Sequence, residues 1–306
     1  MEVLKVDNVS MKFEELTVLN HVSFSVPKHS AFGLIGKNGA GKTTTMKLIV
    51  GLLKPTGGKM TVCGEQVIYG NTKTNRLIGY LPDVPEFYGY LTPKEYLKLC
   101  GEITGLPSSQ IKKKTEELLN LVGLEGVNRK IGSFSRGMKQ RLGIAQALIN
   151  EPKLLICDEP TSALDPMGRK EILDILRDVT KKTTVIFSSH ILSDVEKVCD
   201  TIGILNQGQL LLQGNLSEMK ENYSKMGVRM DFFNAKDAEE AEKVLVDLPF
   251  VFKLERLEMT LSVQLTSHPS NTNELLKIVS MKGWNLKKYE LIEPSLEDVF
   301  LEVVKG

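Results

Sequence analysis

The chain has 306 residues, 42% hydrophobic and 25% charged, with a formal net charge of +1 at neutral pH. That apolar content excludes a disordered chain and suffices for one large domain plus a small one. A charge balance so near zero gives no electrostatic case for nucleic acid or for an anionic membrane surface. Cys63, Cys100, Cys157 and Cys199 are scattered without a C-x-x-C pair. This suits free thiols in a reducing compartment better than a disulfide framework or a zinc site. No apolar run approaches the roughly 20 residues that a membrane helix needs, and Glu2, Lys5 and Asp7 place charge where a secretory segment would be apolar. A soluble chain is expected.

Residues 1 to about 30 alternate apolar and polar, notably at Val22, Phe24 and Val26, and predict antiparallel strands ending in a turn at Pro27 and Lys28. Ala31 to Ile35 is an apolar run, Gly36 to Thr43 reads GKNGAGKT, and Thr44 to Val50 is helix-like. A strand, a G-x-x-x-x-G-K-[ST] segment and a helix in succession form a phosphate-binding loop. Gly36, Gly39 and Gly41 let backbone N–H groups approach an anion closely. The helix opening at Lys42 adds its positive dipole end, the Lys42 ammonium reaches the outer phosphates, and the Thr43 hydroxyl is placed to ligate Mg²⁺. The expected ligand is a Mg-nucleotide, its base left open.

From Thr92 the pattern turns helical. Thr92, Pro93 and Glu95 make a capping box, and Ile111, Leu118, Leu119 and Val122 recur at helical spacing. Ser135 precedes a predicted helix from Gly137 to Ile149, presenting a second helix N-terminus to phosphate. Leu154 to Cys157 reads as a buried strand ending in Asp158 and Glu159. Carboxylates at the C-terminal end of a parallel strand sit where ligands bind, so Asp158 is expected to hold Mg²⁺ and Glu159 to act as general base on the attacking water. Asp165 and Pro166 cap a helix from Met167 to Val179. Thr183 to Ser188 is strand-like and precedes His190, and a hairpin runs from Ile202 to Gln213 around Asn206, Gln207 and Gly208.

Beyond about residue 225 the order is strand (Val228 to Phe233), helix (Ala238 to Val246), two strands (Phe250 to Leu257, Thr260 to Leu265), helix (Asn271 to Lys282) and strand (Trp284 to Leu291). That βαββαβ series predicts a ferredoxin-like domain. Ser295 to Val304 closes the chain as an amphipathic helix with Leu296, Val299 and Phe300 on one side. No cluster of His, Cys or paired acids stands out here, which favours a packing or dimer-stabilising module. His21, His29 and His268 have no motif context and are expected to be structural or surface residues.

Phe134 to Arg141 reads FSRGMKQR, similar to the LSGGQ-type signature of the ATP-binding cassette ATPases. Ser162 to Asp165 resembles their D-loop, His190 their switch histidine, and Phe13 the aromatic that stacks on adenine. The resemblance implies an α/β fold: a P-loop NTPase core that is RecA-like, an antiparallel β subdomain and a helical subdomain (about 84–152) within residues 1–220, followed by an accessory domain over 225–306. It implies ATP at Phe13, Gly36, Asn38, Gly39, Ala40, Gly41, Lys42, Thr43, Thr44, Ser135 and Gly137. Mg²⁺ is expected at Thr43, Asp158 and Asp83, and catalysis by Glu159, His190 and Lys42. Two features depart from the family pattern. Arg136 and Met138 replace a glycine and the glutamine of the signature, and Asp83 stands where the family has the Q-loop glutamine. Such signatures with an acidic Q-loop resemble the exporting branch that includes bacitracin-resistance ATPases, as does the Pro294 to Phe300 ending, PSLEDVF.

In that family two cassettes stack head to tail, each ATP gripped by Lys42 and Thr43 of one chain and by Ser135 and Gly137 of the other. The implied partners are a second copy or a paralogous ATPase and an integral-membrane permease, on the cytoplasmic face of the membrane. Phe87, Tyr88 and Tyr90 offer an aromatic surface for a short helix of that permease. DNA-repair relatives carry a long coiled coil between phosphate loop and signature, whereas fewer than about 100 residues and no heptad run intervene here. Tandem-cassette translation factors have two phosphate loops and this chain has one. An importer ATPase with a regulatory C-terminal domain is the remaining alternative.

Overall fold

The computed structural model describes residues 2–70, 73–223, 227–266, 270–292 and 295–305. The chain divides into two units, Met1–Leu216 and Ser217–Gly306. His268 and Pro294 lie outside the described residues.

The first unit opens with strands β1 (Glu2–Phe13), β2 (Leu16–Pro27) and β3 (Ala31–Ile35), followed by helix α1 (Lys42–Ile49). Strands β4 (Gly57–Val62), β5 (Glu65–Gln66) and β6 (Ile78–Leu81) lead to helices α2 (Pro93–Ile103), α3 (Ser108–Leu121) and α4 (Arg136–Ala147). Then come β7 (Leu154–Asp158), α5 (Pro166–Thr180), β8 (Thr184–Ser189), α6 (Leu192–Val198), β9 (Thr201–Asn206) and β10 (Gln209–Asn215), with α7 (Leu216–Tyr223) at the boundary. Two sheets result, one antiparallel in the order β2-β1-β4-β5 and one of six strands in the order β10-β9-β3-β8-β7-β6. In the larger sheet β6, β7, β8, β3 and β9 run parallel, and β10 pairs antiparallel with β9.

The parallel strands β3, β7 and β8 are buried along their whole length, as continuous apolar runs covered on both faces must be. Inward residues of the antiparallel sheet, among them Leu4, Leu19, Val22 and Val26, pack with Phe32, Leu34, Met46, Ile49, Ile156 and Ile186 in one core. The rings of Phe24 and Phe32 stack there at 5.4 Å. The capping box at Thr92 is complete: Thr92 Oγ1 accepts from Glu95 N at 3.3 Å and Glu95 Oε2 accepts from Thr92 N at 2.7 Å. Strands β4 and β5, unassigned from sequence, are short, and β4 opens at Gly57–Gly58, which hides the alternation a longer strand displays.

The second unit holds β11 (Gly227–Phe232), α8 (Ala235–Leu245), β12 (Val251–Leu257), β13 (Thr260–Leu265), α9 (Ser270–Lys282), β14 (Leu286–Ile292) and α10 (Leu296–Lys305). The sheet is fully antiparallel in the order β12-β13-β11-β14, the ferredoxin-like arrangement. Helix α8 begins three residues before the expected Ala238 because Asn234 caps it, its side chain accepting from Asp237 N at 2.8 Å. The last strand starts after Trp284, which is buried in this unit's core with Val228, Met230, Phe232, Leu245 and Leu275. Leu296, Val299 and Phe300 of α10 are buried, the expected stripe. Among the described residues no helix is long and apolar enough to cross a membrane.

A candidate nucleotide site at the sheet edge

The parallel register decides which residues meet. Strand β8 lies between β3 and β7, pairing Leu34 with Ser188 on one side and Asp158 with Ser188 on the other. The C-terminal ends of all three strands therefore open on one edge, and there stand the glycine loop, Asp158 with Glu159, and His190.

The loop turns through left-handed backbone at Gly39 (φ +80°) and Gly41 (φ +106°). A Cβ on Gly41 would also lie 2.6 Å from Leu19 Cδ2, so this position needs glycine twice over. Lys37, Asn38 and Gly39 are exposed, while Ala40 is buried and its carbonyl accepts from Gly208 N at 3.1 Å. Thr43 is exposed and Thr44 half-buried at the first turn of α1. Buried Lys42 donates from Nζ to Gly36 O at 2.8 Å and Lys37 O at 3.3 Å, and pairs with Glu159 Oε1 at 3.2 Å.

Glu159 is the centre of this edge. Its other oxygen, Oε2, lies 2.8 Å from His190 Nδ1 and accepts from His190 N at 3.4 Å. Its backbone is left-handed at φ +46°, a costly conformation for a side chain with Cβ, and its N–H is held by Ser188 Oγ at 3.0 Å. Asp158 accepts at Oδ1 from Ser188 Oγ at 2.7 Å and from Thr43 Oγ1 at 3.2 Å. Burial pushes the Asp158 carboxyl above its ordinary range, opposed by those two hydroxyls and reinforced by the charges of Glu159 and Asp83.

Ser135, Gly137 and Asp83 belong to a second cluster. Ser135 caps α4, its Oγ accepting from Met138 N at 3.3 Å, and Gly137 lies in the first turn. Asp83, expected as a metal ligand, carries an ion pair: Arg136 Nη2 stands 3.1 Å from its Oδ1. Phe13 is 44% exposed at the tip of the β1–β2 hairpin, paired across it with Leu16. His21, within β2, and His29, in the turn after it, both have left-handed backbone, and His21 Nδ1 lies 2.9 Å from Asn8 Oδ1.

Sequence reading missed two supports. Ser188 joins Asp158 to the Glu159 backbone, and its only sequence signal is a small hydroxyl closing an apolar strand. Asp194 is wholly buried; Arg169 Nε donates to its two oxygens at 2.6 and 2.8 Å, and Thr161 Oγ1 donates to it at 2.7 Å. That clamp ties the segment after Glu159 to α5 and to the helix after His190.

A cradle of backbone donors with a carboxylate base beside it defines a P-loop nucleoside triphosphatase. Residues 19–162 match the family described as ABC transporter, and residues 214–304 match the one described as ATP-binding protein DrrA1-3-like, C-terminal domain. The sequence is 38% identical to the uncharacterized ABC transporter ATP-binding protein YxlF of Bacillus subtilis (strain 168), over 99% of both chains. It is 34% identical to the bacitracin transport ATP-binding protein BcrA of Bacillus licheniformis, over 99% of this chain and 98% of that one. A solved ATP binding subunit of an ABC transporter matches at TM-score 0.66 and 33% identity, covering 72% of this chain and 93% of its own. The chain belongs to the ABC transporter ATP-binding proteins and is an ATPase of that family.

Proposed function

We propose that this chain hydrolyses Mg-ATP to power export of a peptide antibiotic or similar drug through a separate membrane permease. The observation that carries the hydrolytic half is Glu159, whose two carboxylate oxygens reach Lys42 at 3.2 Å and His190 at 2.8 Å beside the glycine loop. The near full-length similarity to a bacitracin transport subunit supports the export half.

In this reading residues 1–220 form the motor and residues 225–306 the accessory domain. Loop N–H groups from Gly36 to Thr44 hold the phosphates, Lys42 moves from its loop carbonyls to the outer phosphate, and Phe13 stacks on adenine. Glu159 takes the proton of the attacking water, and His190 keeps the carboxylate aimed. Thr43 and Asp158 offer hard oxygen donors, which fit Mg²⁺; among the described residues no larger cluster of metal-ligating side chains exists, as suits an ion sharing its shell with phosphates and water. When bound, that ion neutralises charge developing on the transferred phosphoryl group. Ser135 and Gly137 are assigned to the ATP of a second subunit, a copy of this chain or a paralogue, and nucleic acid has no part.

The permease would dock on Tyr88 and Tyr90, 55% and 70% exposed, with Phe87 anchored edge-on to Tyr96 at 5.1 Å. The test is twofold. Purified chain should release phosphate from ATP only with Mg²⁺, and cells lacking it should become more sensitive to peptide antibiotics such as bacitracin. Tyr88→Asp should abolish resistance while leaving ATP binding intact; unchanged sensitivity across the drug panel would remove the export reading.

A further inference from the structure

Two of the positions at which the signature and the Q-loop depart from the family pattern are 53 residues apart in sequence and touch in the fold. Arg136 Nη2 lies 3.1 Å from Asp83 Oδ1, with both side chains nearly half exposed. One turn further along α4, fully buried Gln140 donates from Nε2 to the Asp83 carbonyl at 2.6 Å. The far end of the same helix rests directly on β6, where a Cβ on Gly79 would lie 2.1 Å from Ala147 O. Helix α4 is thus seated at its C-terminal end and tied by Gln140 at its second turn, while its first turn is held by the ion pair and by Arg129 Nη2, which donates to Met138 Sδ at 2.7 Å. That turn carries Ser135 as cap and Gly137.

A pair this exposed contributes little to folding, because water screens it and two long side chains must be ordered. Its place matters more than its strength. We propose that Asp83 and Arg136 act as one positioning pair, holding the N-terminus of α4 and its Ser135 and Gly137 at a fixed angle to the end of β6 for ATP turnover. The two charges compensate each other, so neither substitution is independent of the other. The proposal rests on the ATPase activity of this chain and is indifferent to what is exported.

The test is a double-mutant cycle in the full chain: Asp83→Asn, Arg136→Gln and both together, with kcat, KM for ATP and melting temperature measured at about 0.1 and 1 M NaCl. Each single variant should lower kcat about fivefold, equivalent to about 1 kcal/mol, with KM within about twofold and a melting shift below about 2 °C. The double variant should also fall about fivefold, and the wild-type advantage should shrink at high salt, where a half-exposed pair is screened. Several results would overturn the proposal. Losses that multiply to about 25-fold would show independent roles. A drop for Asp83→Asn alone, with a raised Mg²⁺ requirement, would make Asp83 a metal ligand and Arg136 incidental. A change in KM confined to Arg136→Gln would make Arg136 a phosphate ligand.

Discussion

In the first unit Lys42, Gln140, Asp158, Ser188 and Asp194 are buried, whereas in the second unit no charged or hydroxyl-bearing side chain among the described residues is. Polar groups of the second unit bond near the surface: Arg256 Nε to Glu242 Oε2 at 2.6 Å, Thr260 Oγ1 to Asp231 Oδ1 at 2.8 Å. Burying a polar or charged group costs several kcal/mol unless it is fully partnered. A fold maintains that cost where the groups do work, and Lys42, Asp158 and Ser188 stand with Glu159 at one sheet edge. In the second unit the buried side-chain polar atom without a partner, among the described residues, is Trp284 Nε1, in a core that is otherwise apolar from Val228 onward.

The contrast can be broken by substitution. Glu159→Gln keeps the shape and removes the base, so phosphate release should fall about thousandfold while ATP-bound dimer accumulates on a sizing column. Residual turnover within tenfold of wild type would move the base elsewhere. Asp194→Ala leaves Arg169 and the Thr161 hydroxyl without their buried acceptor. Urea unfolding of the first unit should show a loss of about 3 kcal/mol, and a loss under about 1 would mean that the clamp is not structural.

Leu245→Ala opens a cavity under α8 and should cost the second unit about 2–5 kcal/mol, with ATP turnover within about twofold of wild type. A parallel fall in turnover would give that unit a part in the motor. The smallest effect concerns acid. Asp237 is held below its ordinary pKa, chiefly by the Asn285 backbone N–H at 2.9 Å and also by its surroundings at the Asn234 cap. A lowered carboxyl stabilises the fold fully above the unfolded value and loses that contribution as pH falls through the folded one. Asp237→Asn should therefore flatten the acid limb of the second unit's melting curve against pH; an unchanged limb would assign it to other groups.

The glycine loop, the strand-end carboxylates and the Thr92 capping box were legible because each is a local pattern: a turn needing glycine, an apolar run, a cap three residues from its partner. Glu159 could be named from such patterns, and His190 from the family resemblance. Their pairing could not, because it depends on β8 lying between β3 and β7. Asp83 shows the limit most clearly. The family resemblance puts its carboxylate near Mg²⁺, and no local pattern records its ion pair with Arg136, since packing of α4 on β6 is what brings those residues together.

By itself, then, the sequence determined the element order of the second unit and most of that of the first, the phosphate loop and the family, because backbone propensity and side-chain period act over a few residues. Only the tertiary structure decided that Ser188 supports Asp158, that Asp194 clamps Thr161 to Arg169, and that two departures from the family pattern form one ion pair. Those contacts join residues 25 to 53 positions apart. At such separations strand register and helix seating choose the neighbour, and no local pattern records that choice.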